Sequence, residues 1–181
     1  YKIGDHVYYN PVSNTSCNYK NYWTTANQNG TCYRFLVVED SKVENDTLKL
    51  MLTHDIALDT YDNYQVQLNN VKINWTRYSG EINLISENEV VSLMRLNRKP
   101  GFNTDGTAES IHSEEGAIFL PFKDNTEYYL NGNQVNTAGF WTNTVHESKS
   151  LYAYSVTENA NNKPLLRSEK RGIRPVITVK K

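Results

Sequence analysis

His112-Ser113-Glu114-Glu115 sets an imidazole beside two carboxylates. Paired carboxylates can act as acid and base in glycoside cleavage. Adjacent glutamates, however, point to opposite faces of a strand, and on a loop they are solvated charges. His54-Asp55 follows an apolar run and has the makings of a base with its orienting carboxylate, but no nucleophile accompanies it. His6 and His146 stand apart from other such groups, and neither a Gly-rich phosphate loop nor a Gly-x-Ser-x-Gly elbow occurs. An enzyme, a hydrolase centred on residues 112–115, is therefore only the third of three functional readings.

Cys17 and Cys32 are the two cysteines, and the loop between them is polar and rich in Asn and Thr. Without clustered histidines or further cysteines they make a poor zinc site. A disulfide closing such a loop would contribute roughly 3 kcal/mol in the chain-entropy picture and would indicate an extracytoplasmic setting. The alternative is two free thiols in a cytosolic protein. Asn29 and Asn74 each begin a glycosylation sequon, which matters only in a host that glycosylates them.

The stretch from Phe140 to Arg167 has a composition suited to recognition. It carries Trp141, Asn143, His146, Tyr152, Tyr154, Asn159, Asn161, Asn162 and Arg167. Aromatic rings supply flat contact area at low entropic cost, and carboxamides supply adaptable hydrogen bonds, the mixture that also builds antibody paratopes. The competing interpretation is that Tyr152 and Tyr154 share the core face of a strand while the asparagines serve turns. Arg167 and His146 are the two expected to be exposed.

Composition limits the partners. The 181 residues are 38% apolar and 22% charged with a net charge of −1, which suits one folded domain. A nucleic-acid binder needs a basic footprint, and only the tail gathers cations: Arg167, Lys170, Arg171, Arg174, Lys180 and Lys181. No segment approaches the about 20 apolar residues of a membrane helix. Neither nucleic acid nor membrane is an expected partner of this segment, and no cofactor or metal is expected. The start at Tyr1 without Met has the look of a trimmed product, with any anchor removed. The 13 tyrosines and 23 asparagines favour strands joined by many turns.

The elements that must position these residues follow from periodicity. Strands are expected over residues 5–12, 33–40 and 47–55, the second a continuous apolar run buried on both faces and the third with Leu48, Leu50 and Leu52 on one face. The short link between the latter two predicts a hairpin. Ser86 and Glu89 form a capping box with Ile85 and Val90 at staple spacing, which starts a helix that Pro100-Gly101 ends. A second helix is expected where Tyr64, Leu68 and Val71 recur. Residues 117–122 read as a strand, Asn131-Gly132 as a tight turn, and residues 139–144 and 151–157 as short strands. Finally "RGIRPVITVKK" alternates Ile173, Ile177 and Val179 with Arg174, Thr178 and Lys180, a half-buried strand with Pro175 near its start or on an edge. The last strand is expected to pair with the first, with the hairpin in or near the same sheet.

The order of Tyr1–Val12, Gly139–Thr144, Leu151–Val156 and Gly172–Val179 resembles bacterial C-type-lectin-like domains. That fold group takes in formylglycine-generating-enzyme-like domains and the variable proteins of diversity-generating retroelements, and the likeness is strongest to surface domains of low-GC gut bacteria. The resemblance implies an α+β, C-type-lectin-like domain over residues 1–181 with paired N- and C-terminal strands, mixed short sheets, one or two helices and a long loop region. It implies that Trp141 and residues 172–175 are mostly scaffold. Formylglycine-generating enzymes use cysteines late in the chain, whereas both cysteines here precede residue 33. Calcium-dependent lectins use a Glu-Pro-Asn or Gln-Pro-Asp loop and a Trp-Asn-Asp run; Trp141 and Asn143 have no following Asp, so a calcium site is not expected. The leading expectation is a non-enzymatic, extracellular binding or adhesion domain of a bacterial surface protein, recognising protein or glycan through residues 140–167. A structural, pilin-like assembly subunit is second.

Overall fold

A computed structural model describes residues 1–42, 46–96, 119–123, 127–130 and 133–181. The domain is α+β. Strands β1 (His6–Tyr9), β2 (Tyr33–Ser41), β3 (Thr47–Leu52) and β4 (Ala57–Thr60) precede a 3-10 turn at Tyr61–Asn63 and helices α1 (Tyr64–Asn74) and α2 (Glu87–Leu96). A second 3-10 turn at Leu120–Lys123 then leads to β5 (Glu127–Leu130), β6 (Asn133–Asn136), β7 (Gly139–Val145) and β8 (Tyr152–Thr157). The chain ends with β9 (Asn162–Leu166), β10 (Lys170–Ile173) and β11 (Val176–Lys180).

One sheet is four-stranded in the order β1-β2-β3-β11, and a second is five-stranded in the order β4-β10-β7-β8-β9. Strands β5 and β6 form a separate antiparallel pair on either side of residues 131–132. Both terminal strands lie in the first sheet, together with the expected β2–β3 hairpin. One correction concerns neighbours: β11 pairs antiparallel with β3, while β1 pairs with β2, so the two termini take opposite edges and do not bond each other. A second correction concerns the tail. It is two strands, not one, because the chain breaks at Arg174-Pro175 and β10 joins the second sheet, antiparallel to β4 and parallel to β7. Proline withholds a backbone donor, and the Pro175 carbonyl instead accepts from the Leu52 amide at 2.9 Å. A third correction concerns Leu120–Lys123, where the expected strand is a 3-10 turn.

The apolar run of β2 is explained by two cores. Phe35 and Val37 face one core with Leu48, Leu50, Leu52, Trp141 and α1 residues Leu68 and Val71. Leu36 and Val38 face the other with α2 residues Val90, Leu93 and Met94 and with Phe122, Phe140 and Val156. A strand covered on both faces has no polar alternation to show.

Helix α2 begins as its sequence dictates. The Glu89 amide donates to Ser86 Oγ at 3.2 Å and the Ser86 amide donates to Glu89 Oε1 at 3.1 Å. Ile85 and Val90, the staple pair, share the second core. Ser86→Ala is expected to lower stability by about 1 kcal/mol in chemical denaturation, with Ser86→Asp retaining most of it.

Cys17 and Cys32 are joined in a disulfide with Cα atoms 5.6 Å apart. The loop it closes is docked by two ring stacks: Tyr22 on Tyr8 at 3.9 Å, and Trp23 on His54 at 3.8 Å with planes 5° apart. Gly30 permits the fold-back, since a Cβ there would strike the backbone of Tyr22 and Trp23.

Candidate functional site

Strands β7, β8 and β9 bring the residues of 140–167 to one half of the second sheet, but they divide between its interior and its end. Trp141 and Tyr154 are buried. The Trp141 indole N–H donates to the Asp59 carbonyl at 3.0 Å and its ring meets Tyr61 edge-on at 5.7 Å. The Tyr154 hydroxyl donates to Glu147 Oε2 at 2.6 Å; burial, then the adjacent Glu147 carboxylate, hold this phenol well above its ordinary range. Asn162 is buried too, its amide donating to the buried Glu87 carboxylate at 3.1 Å.

The remaining residues brace the end of the sheet. The Asn143 carbonyl accepts from the Tyr61 hydroxyl at 2.8 Å. Burial is the main cause that pushes this phenol up to about 12. His146 is only 14% exposed, contrary to expectation, and its Nδ1 accepts the amides of Ser148 and Lys149, both at 3.1 Å. That ring therefore fastens the β7–β8 turn. The Arg167 side chain is one-third exposed; its Nε donates to Asp62 at 2.7 Å, its Nη1 donates to the Ser150 carbonyl at 3.1 Å, and its guanidinium lies over Tyr61. The Asn161 carbonyl accepts from the Thr157 amide at 2.8 Å within the β8–β9 turn, and Asn159 is exposed at its tip. Asn159 and Asn161 thus lie in a turn, as the competing interpretation expected, whereas Asn143 and Asn162 lie in β7 and β9.

Among the charged and polar groups of this end, two apolar side chains also face solvent. Leu151 is 71% exposed and Leu166 40% exposed, with half-buried Tyr152 directly across from Leu166 in the ladder. Lys149 Nζ sits 5.7 Å from the Tyr152 ring centre. The two leucines were not among the expected binding residues. Their signal is position: Leu151 precedes β8 and Leu166 ends β9, where a strand leaves its neighbours.

The other expected sites fall elsewhere. His112–Glu115 lies outside the described residues. Asp55 is buried against Arg174, whose Nε donates to Asp55 Oδ1 at 2.8 Å, while the Thr137 hydroxyl donates to Oδ2 at 2.6 Å. Burial pushes this carboxyl up, opposed by Arg174 and then by the Thr137 hydroxyl. Arg174, expected on the solvent side of the last strand, is 1% exposed and covers the Phe140 ring at 4.5 Å. A Cβ at Gly172 would collide with the Asp55 carboxyl, so this backbone must be glycine. The cationic tail is thus dispersed: Arg174 lies inside, Arg167 faces Asp62, and Lys181 bonds Asp40 and Asp46.

His54 is buried between Trp23 and Tyr33. Burial first, then the positive charge of Arg174, hold its ring down at about 3 from an ordinary 6.5. It is therefore neutral when folded, and acid favours the unfolded chain. The unfolded state takes up a proton as pH falls through 6.5, and the folded state does not until about 3. The stability held by this neutral ring is complete above neutrality and is lost progressively below it, amounting to ~2 kcal/mol by about pH 5. Urea unfolding from pH 8 to 5 is expected to show this slope, and His54→Phe, which keeps a ring against Trp23, should flatten it.

Among the described residues, no three His, Cys, Asp or Glu side chains are gathered so as to hold a metal ion. No helix among those residues is long and apolar enough to cross a membrane. Compared with known proteins, the chain matches no protein-family model and no curated protein, so its function is read from the geometry alone.

Proposed function

We propose that this is a non-enzymatic, extracellular binding domain of C-type-lectin-like organisation, carried by a bacterial surface protein and recognising protein or glycan through the β7–β8–β9 end. The observation that carries the proposal is the exposure of Leu151 and Leu166, with half-buried Tyr152 opposite Leu166, at the end of β8 and β9 beside a framework fixed by Arg167 and His146. Apolar and aromatic side chains on a rigid support lose little freedom on binding, which is what a central contact patch requires. The disulfide supports an extracytoplasmic location. The α+β build, with both termini in one sheet, supports the C-type-lectin-like reading.

The sheet edge beside this patch favours binding over assembly. Strand β9 is the outer strand and carries Lys163 and Pro164, a charge and a missing donor that discourage edge-to-edge pairing. The test is a screen of the purified domain against a glycan array, mucin and host matrix proteins, with calcium and with chelator. A ligand retained in chelator and weakened at least roughly tenfold by Leu151→Asp or Tyr152→Ala is the expected result. Binding that needs calcium, or the absence of any ligand that responds to either substitution, would overturn the site. Self-association with no ligand on any surface would support the structural-subunit reading instead.

A further inference from the structure

A second concave site, separate from the β7–β9 end, lies between α1 and the strands β2 and β4. It encloses about 190 Å³. Half-buried Tyr33 lines its floor, backed by the buried Trp75, with ring centres 5.5 Å apart and planes inclined by 41°. Ile56 and Val71 supply the apolar wall. Gln67, Asn70 and Asn74 form the rim, because residues three and four apart share one helix face. The Gln67 amide donates to Asp59 Oδ2 at 2.8 Å, and Asn70 and Asn74 are exposed.

The chemistry of this lining narrows the ligand. Every polar side chain in it is uncharged, so an ionised ligand would gain no counter-charge on leaving water. Carboxamides both donate and accept, and so do hydroxyl groups. The half-buried Tyr33 ring and Ile56 side chain match a face made of C–H groups. One small molecule class combines neutral hydroxyls around its edge with an apolar C–H face, and the volume, below that of ordinary drug-sized pockets, accommodates a single ring. We infer that this cleft binds one neutral pyranose, as a free monosaccharide or as the terminal residue of a glycan.

The probes are glucose, galactose, mannose, N-acetylglucosamine and N-acetylgalactosamine, each free and as its methyl glycoside, titrated into the ¹⁵N-labelled full chain and followed by NMR. Bacterial expression keeps Asn74, which opens a glycosylation sequon on the rim, unmodified. At least one neutral sugar is expected to shift the Trp75 indole N–H and the Asn70 and Asn74 side-chain amides together. Asn70→Ala and Asn74→Ala should each weaken it roughly fivefold, the loss of one ordinary hydrogen bond. Both positions are exposed on α1, so the fold tolerates them, and Leu151→Asp should leave this binding unchanged. Equal binding of the methyl glycoside identifies a glycan terminus; binding of the free sugar alone identifies a monosaccharide. The inference fails if no neutral sugar moves these resonances at tens of millimolar, if the two Ala variants bind as the parent does, or if glucuronate or sialic acid binds better than every neutral sugar.

Discussion

Asp55→Ala should cost about 3–5 kcal/mol of folding stability, because it leaves the Arg174 guanidinium inside the protein without its carboxylate. Both side chains are essentially inaccessible, so neither solvent nor salt can replace the lost charge. The pair also joins distant elements: Asp55 precedes β4, Arg174 lies between β10 and β11, and Thr137 precedes β7. The size of the effect comes from removing one side of a buried charge pair, not from a large intrinsic worth of the pair. The double variant Asp55→Ala/Arg174→Met should therefore be clearly more stable than the sum of the two single changes predicts, as a double-mutant cycle in urea would show. An Asp55→Ala variant within about 1 kcal/mol of the parent would contradict this account.

Trp141→Ala is expected to destabilise by a similar about 3–5 kcal/mol, through the cavity left in the first core and the loss of the hydrogen bond to Asp59. The experiment also separates two roles. The composition of 140–167 places Trp141 among binding residues, whereas its complete burial makes it a support. Trp141→Phe, which keeps a ring in the core, should lower stability by less and leave ligand affinity unchanged. A drop in affinity with the fold intact would return Trp141 to the binding surface.

Local signals were legible wherever the cause was itself local. The capping box at Ser86 and Glu89 fixed the start of α2, because both partners lie within one turn. Leu48, Leu50 and Leu52 lie together in one core, as alternation required. The tail shows what defeats such reasoning. Arg174 stands in an alternating series and so reads as solvent-facing, yet its partner Asp55 is 119 residues away and turns it inward. Pro175 signalled an edge or a start, but not that the strands on its two sides would join different sheets. The candidate site was legible as a region and not as a surface. Its residue types point to recognition, while the contacts that bury Tyr154 and occupy Arg167 come from Glu147 and Asp62 and have no signature in spacing.

The division of the tail also bears on synthesis. Strand β10 stands between β4 and β7, so until residues 170–173 emerge, the second sheet has no bridge from β4 to the β7–β8–β9 group. Strand β11 completes the first sheet only after that. A ribosome must deliver almost the whole domain before either sheet can close, and pairings of such long sequence separation form slowly. Until then only the pairings among β1, β2 and β3 and among β7, β8 and β9 can form within these sheets, so the last dozen residues join two half-built sheets.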